Sequence, residues 1–374
     1  MKLAHIQSYV LRYPDPNDLD QPRMTVLVRV ETTNGIVGWG EGIAMWPEAC
    51  RATATLVDEG LAPMLIARGE LTCETAWEAM RSHTWWYGEG GIACFAYSAI
   101  DIALWDIQGK IENKPLCELF GRVHSRLPAN ASCHVNKGSL SACIDEVLGF
   151  FAMGYRSVKL GLAKKSLSGV GHDPDSSIAL VAGIRRAAGP DVEILVDAGN
   201  GTRWSRQAAI DTVRAMAEYD IGWIEEPFYP NRIDDYRTLK SAVEVPIAAG
   251  EREWTVAAYA NLIDTGTVDI VGVDPARAEG ITGFRKIDAL VGRAKLTINA
   301  HAWSTAITSA ASLHLAVASH NARLFELKPF PVSVQQELVH DPIAQCGGEV
   351  APPAGAGLGI EVDEGVVGKL LYRG

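Results

Sequence analysis

An α+β segment followed by a parallel (β/α) barrel is the architecture that the sequence predicts, and two changes of rhythm predict it. From Met1 to about Val123, strand-like runs (His5 to Leu11, Met24 to Glu31, Gly35 to Glu41) come first and two long helical patterns follow, the order expected of an α+β unit. After about Leu127 short apolar strands alternate with amphipathic helices at a spacing near 25 residues. The strand ends read SVKLGL, EILVDAGNG, IGWIEEPF, VPIAAGERE, DIVGVDPAR, LTINAHAW and LFELKPF. Seven or eight such units without a dinucleotide fingerprint fit a closed parallel barrel better than an open sheet.

Within the first segment, Thr33 to Gly35 (TNG) marks a hairpin. PDPNDLDQP, Pro14 to Pro22, is polar and punctuated by proline, which predicts a mobile loop between the first two strands. The first helical pattern surrounds Cys50 to Leu65, and a longer, more apolar one runs from Ile92 to Ile111. Past about Gln345 a Gly- and Pro-rich stretch leaves the barrel rhythm. The boundaries that follow are 1–127 for the α+β unit, 128–345 for the barrel, and 346–374 for a tail that returns to the first unit.

Composition narrows the partners. The chain has 374 residues, 48% hydrophobic and 21% charged, with a formal net charge of -11. That field repels nucleic acids and anionic membrane surfaces. Seven scattered cysteines, none spaced as CxxC, signal neither a disulfide framework nor a zinc site, so a reducing, cytoplasmic setting is expected. The start, MKLAHIQSYVLRYP, reads as a strand and not as a signal peptide. No apolar run reaches membrane-spanning length.

WIEEPF, Trp223 to Phe228, ends an apolar strand on two carboxylates, and this costs free energy unless they find partners. Taken alone, Glu225 can simply cap a loop. But the same strand-end position holds Asp197 in LVDAG and Glu251 in AAGERE, and all strand ends of a (β/α) barrel meet at one mouth. Three converging carboxylates raise one another's pKa unless a cation joins them, and oxygen-only ligands suit Mg²⁺ and not zinc. Glu226 faces the other way, because successive strand residues alternate.

The ordered set VDAGN, IEEP, AAGE, VDPARAEGIT and NAHAW, with WGEG, SAIDIALWDIQGK and AGLGIEVDE, resembles the mandelate racemase branch of the enolase superfamily over nearly the whole chain. The resemblance implies a (β/α)₇β TIM-type barrel, an α+β capping domain built from the N-terminal region and the C-terminal tail, and a Mg²⁺ ion on Asp197, Glu225 and Glu251. It also implies abstraction of the proton α to a carboxylate. That chemistry needs a base, and His301, ending one strand, can pair with Asp274, ending the strand before it.

Members of this branch often show Lys-x-Lys on the second barrel strand, the second Lys being a base on the face opposite the histidine. Here the pair is Lys159 and Gly161, and Gly161 takes no proton. Lys164 and Lys165, further on, read as solvated loop charges. Lys159 can place positive charge near the substrate carboxylate or form a structural salt bridge. Racemisation needs two bases, whereas a syn dehydration needs one group serving as both base and acid, so the expected activity is a Mg²⁺-dependent acid-sugar dehydratase, a hydro-lyase of aldonates or aldarates with His301 in that double role. A racemase, epimerase or cycloisomerase, or a catalytically silent metal-binding scaffold, are the alternatives. Glu326 in LFELKPF matches a family position for carboxylate contact or electrophilic assistance, with a buried structural role as its alternative.

For substrate contacts the sequence offers Arg23, Trp46, Trp86 (in TWWYGEGG) and Trp303. Trp303 has the better claim to the pocket wall, by alternation from His301. Trp85, Trp86 and Tyr87 also read as capping-domain core or interface. The expected partner is a small carboxylate, and the expected assembly a homo-oligomer.

Overall fold

The computed structural model describes residues 1–162, 169–199 and 201–373 of the chain. Lys164 and Lys165 lie outside the described residues. Strands β1 (Leu3–Asp15), β2 (Gln21–Thr32) and β3 (Val37–Met45) form an antiparallel sheet in the order β1-β2-β3. The long helix Ile92–Glu112 packs against β3. It is apolar almost all round and correspondingly buried on nearly every face. The alternating glycines of β3 permit the contact: a Cβ on Gly40 would stand 1.8 Å from the Ala99 carbonyl oxygen, and one on Gly38 2.2 Å from that of Ala103. The GWGEG run is thus a track for a helix.

Two expectations for this region change. The Pro14 to Pro22 stretch is mostly an extension of the β1-β2 hairpin, with Tyr13 paired to Arg23, Pro14 to Pro22 and Asp15 to Gln21, around a short turn Pro16–Asp18. Its polarity serves burial and not solvation, since Asp15 is fully buried, ion-paired to Arg23 at 3.0 Å and to Lys328 at 3.2 Å. The helix expected around Cys50 to Leu65 is Pro47–Thr55 and Ala62–Ala67 joined by a wide turn, Leu56–Leu61, ahead of Pro63, which has no N–H to donate.

The barrel strands are β4 (Leu127–His134), β5 (Ser157–Gly161), β6 (Glu193–Asp197), β7 (Ile221–Glu225), β8 (Ile247–Ala249), β9 (Ile270–Val273), β10 (Thr297–Ala300) and β11 (Phe325–Leu327). They run in parallel in sequential order, and β11 returns to pair with β4. A helix separates each strand from the next, giving a (β/α)₇β barrel. Strands such as β5 are buried on both faces, as their continuous apolar character requires.

The tail adds β12 (Glu349–Val350), antiparallel to the start of β4, then reaches β1, where the Tyr372 N–H donates to the Val10 carbonyl at 2.8 Å. No helix among the described residues is long and apolar enough to cross a membrane.

Candidate active site

The parallel register carries the C-terminal strand ends into one row: His134 stands opposite Gly161, Gly161 opposite Asp197, and Asp197 opposite Glu225. Glu251 lies two residues past the end of the next strand, β8, after Gly250. Asp274 directly follows β9 and His301 directly follows β10. A cavity opens at this mouth, lined from the barrel by His134, Lys159, Gly161, Asp197, Glu251, Arg252, Arg277, His301 and Trp303, and from the capping sheet by Tyr13, Arg23, Met24, Ile43 and Met45.

The acids are crowded and matched by cations. Lys159, buried inside β5, lies 3.1 Å from Glu225 and 2.7 Å from Glu326. Burial alone would discharge it, but Glu225 and Glu326 hold its pKa well above the ordinary lysine value. Asn299 donates to Glu326 at 2.5 Å, so this fully buried carboxylate is a fixed counter-charge. Glu225 also accepts from the Trp223 indole N–H at 3.1 Å. Burial pushes Glu225 well above the carboxylate range; Lys159 opposes this, while Asp197, Glu326 and Glu251 add to it.

Glu226 turns away in a left-handed conformation (φ 43°) and pairs with Arg252 at 2.6 Å. Burial, then the charge of Glu251, pushes Glu226 up to about 8 against the pull of Arg252.

His301 is held from both sides. Its Nδ1 is 2.7 Å from Asp274 Oδ2, while Asp274 Oδ1 accepts the Ala276 N–H at 2.8 Å. Its Nε2 is 3.2 Å from Glu251. Burial would lower the pKa of His301, yet the Asp274 hydrogen bond and the charge of Glu251 raise it to about 9. The same ion pair, with Arg252 and Lys159, keeps Glu251 below the usual carboxylate range despite its desolvation.

Could a cation sit among the three acids? Among the described residues no three His, Cys, Asp or Glu side chains stand together at ligand spacing. The reason is visible: Glu225 is turned to Lys159 and Trp223, and Glu251 to His301 and Arg252. The donor set nevertheless suits a hard dication, with oxygen donors only, on three consecutive strands, each repelled by the others.

A second buried carboxylate joins the two parts of the molecule. Glu41, from the WGEG run on β3, accepts hydrogen bonds from Thr25, Ser304, Thr305 and Thr308 hydroxyls, the last at 2.6 Å. Thr305 caps the helix Ala306–Ala318 that follows β10, so the capping sheet grips the segment carrying His301 and Trp303.

These features agree with comparisons to known proteins. Residues 142–366 match the family model for an enolase C-terminal domain-like fold, and residues 20–121 match that for the mandelate racemase / muconate lactonizing enzyme N-terminal domain. The chain belongs to the enolase superfamily, in its mandelate racemase branch. Among superfamily relatives, it is 28% identical to an arabinonate dehydratase of Saccharolobus solfataricus, over 97% of this chain and 98% of that one. It is 27% identical to a D-galactarolactone cycloisomerase of Agrobacterium fabrum, over 97% of each. The crystal structure of a racemase from Streptomyces coelicolor with bound magnesium superposes with a TM-score of 0.89 at 25% identity, covering 99% of this chain and 100% of that one.

Of the residues proposed from sequence, the fold brings Lys159, Asp197, Glu251, His301, Trp303 and Arg23 to the cavity wall. Glu225, Asp274 and Glu326 sit just behind it as buried partners of Lys159 and His301. Trp46 lies on a neighbouring surface pocket with Arg12, Pro22 and Tyr372, and is 59% exposed. Trp86 is 79% exposed and lines neither pocket; with Trp85 and Tyr87 it is surface and not core, because the TWWYGEGG run follows the end of helix Cys73–Thr84 outward. Sequence reasoning passed over His134 and Arg252. The signal for His134 was available, since it ends the first barrel strand, LPANASCH, where the strand-end rule applies equally.

Proposed function

We propose that this protein is a Mg²⁺-dependent dehydratase of an aldonate or aldarate, with residues 1–127 and 346–374 capping the barrel of 128–345. The observation that carries the reading is an asymmetry at the mouth: a complete His301–Asp274 pair at 2.7 Å on one wall, and Gly161, with no side chain, at the position where the resemblance places a second base. Two-base inversion of one carbon lacks its second lysine, whereas elimination needs one base and an acid.

A cation held by Asp197, Glu225 and Glu251 would supply Lewis-acid stabilisation of the charge developing on the substrate carboxylate. The chain's own residues supply the rest. With Nδ1 donating to Asp274, His301 Nε2 is the atom that takes the α-proton, and Asp274 stabilises the resulting imidazolium. Glu251 is one of the carboxylates, with Asp274 and Glu326, that raise His301, so its engagement as a ligand would bring the basicity of His301 toward the range a general base needs. Lys159, charged between two carboxylates, is no base; it fixes Glu225 and puts positive charge on the cavity wall. As the electron pair left at the α-carbon forms the Cα=Cβ bond, the β-hydroxyl departs with a proton as water. The enol then ketonises to a 2-keto-3-deoxy acid.

The arabinonate dehydratase relative supports this reading, and the D-galactarolactone cycloisomerase relative supports a cycloisomerase as the second one. A panel of aldonic and aldaric acids and their lactones, assayed with Mg²⁺ for 2-keto-acid formation and for α-deuterium exchange in D₂O, separates them. Keto-acid formation upholds the dehydratase; exchange or ring opening without loss of water replaces it with the isomerase. The seven free cysteines support a cytoplasmic setting and the exposed Trp85, Trp86 and Tyr87 a homo-oligomer, which cell fractionation and gel filtration check.

A further inference from the structure

We infer that His134 is the general acid of the site, donating the proton with which the β-hydroxyl leaves; the inference rests on the dehydratase reading. The single-histidine elimination expected from sequence would make His301 both base and acid. The structure supplies a second imidazole on the same cavity wall as Gly161.

Three observations carry this. First, the ring of His134 occupies the volume that a side chain at position 161 would need: a Cβ on Gly161 would meet His134 Cδ2 at 2.9 Å. The missing side chain on β5 and the imidazole on β4 are complementary: no second lysine stands at the α-carbon, and the space that Gly161 leaves open is taken by an imidazole. Second, the ring is held in place. It packs on Trp303 with centroids 5.3 Å apart, Trp303 is backed by Lys328 at 4.9 Å, and the His134 backbone N–H donates to Asn17 of the capping hairpin at 2.9 Å. Such support on several sides is what positions a proton donor. Third, the strand order sets His134 and His301 at different stations. His301 follows β10 and reaches Glu251, after β8, whereas His134 ends β4, two strands from β10 by way of β11 and four from β8. A substrate whose carboxylate lies toward Asp197 and Glu251 extends its next carbons toward β4 and Trp303.

The step balances. His301 Nε2 takes the α-proton, its electron pair becomes the Cα=Cβ bond, the Cβ–O bond breaks, and the oxygen leaves as water with the proton from His134. Both imidazoles then return to their starting states by exchanging one proton with solvent.

The test uses the full-length protein with Mg²⁺ and a sugar acid that the wild type dehydrates, together with its 3-deoxy-3-fluoro analogue, whose fluoride leaves without needing a strong acid. His134→Phe keeps a ring against Trp303, and His134→Gln keeps polarity. Both are expected to lose about 10²-fold or more in keto-acid formation. Fluoride release from the analogue, and α-deuterium exchange in D₂O, should stay within about tenfold of the wild type by the same logic. Fluoride release also counts the folded, active sites. Dehydration by both variants within tenfold of wild type, or a parallel fall of dehydration and fluoride release, overturns the assignment. If the wild type itself yields no keto acid from any sugar acid, the dehydratase reading fails; if it does and the variants match it, only the His134 assignment fails.

Discussion

The two sides of the barrel mouth are built on different principles. On the β5–β8 side, Lys159 pairs with Glu225 and Arg252 with Glu226 and Glu251, and the charge of Asp197 acts on both cations. On the β4, β10 and β11 side, His134, Trp303 and Lys328 stack beneath a capping hairpin whose Asp15 and Asn17 clasp the barrel. The first side is chemistry that any barrel of this kind can carry on its own strands. The second exists only when two parts of the chain meet, and under the proposed function substrate shape would be read there and charge managed opposite. His301 stands at the seam, touching Glu251 of one side and rooted in the segment that Glu41 of the cap holds.

The largest expected effect comes from cutting at that seam. His301→Asn should lower dehydration by about 10³-fold or more while leaving cation uptake intact by calorimetry. Undiminished turnover would show that the base lies elsewhere. On the charge side, chelation should abolish turnover and Mg²⁺ should restore it. Asp197→Asn should weaken cation binding by at least about tenfold, each 1.4 kcal/mol being a factor of ten. Calorimetric uptake equal to that of the wild type would remove Asp197 from the ligand set.

This division also explains what the sequence could reveal. Asp197, Glu225, Glu251, Asp274 and His301 were legible because each ends a strand, and the parallel barrel turns a position in sequence into a place in space. Lys159 was legible as a charge, but not its partners, since Glu326 lies 167 residues away on β11 and only ring closure joins them. The capping side resisted for the same reason. A polar, proline-punctuated stretch reads as a mobile loop until Lys328, directly after the last barrel strand, is found under Asp15. Exposed Trp86 and wall-forming Trp303 are the same residue type, and composition does not tell them apart.

The clasp gives the next prediction. Asp15 and Lys328 are both buried, so Asp15→Asn leaves a buried lysine without its carboxylate. The expected cost is about 3 kcal/mol in chemical denaturation, with KM rising more than kcat falls, because the hairpin's hold on the mouth loosens. An unchanged KM would separate the clasp from substrate binding.

Acid should loosen this side through His314. On the helix that follows β10, its Nδ1 accepts the Cys117 N–H at 3.3 Å and its Nε2 donates to the Leu358 carbonyl at 3.0 Å, an arrangement that needs the neutral ring. Burial lowers its pKa to about 4. The unfolded chain therefore binds the extra proton first: the stabilisation is complete above the ordinary histidine pKa near 6.5 and is lost as pH falls from there to about 4, by up to about 3 kcal/mol. Asp101, pushed by burial to about 7, works with the opposite sign, favouring the fold at low pH and losing that contribution as pH rises to 7. The His314 term is consequently read as the difference between wild type and His314→Gln across pH 4 to 7. Parallel stability profiles would refute it.

The smallest expected effects mark where the shape-reading side ends. Trp86 is 79% exposed, stands ring to ring with Trp85 at 5.1 Å and lines neither pocket, so Trp86→Ala should leave kcat/KM within about twofold. Trp46 is a sharper probe, because its pocket shares Arg23, Met24 and Met45 with the cavity wall. If the shape-reading surface extends outward past Arg23, Trp46→Ala should raise KM by about three- to tenfold for a longer aldarate and leave a short aldonate unaffected, since one lost apolar contact is worth about 1 kcal/mol. Equal KM for both chain lengths would end that surface at Arg23, beside Trp303 and His134.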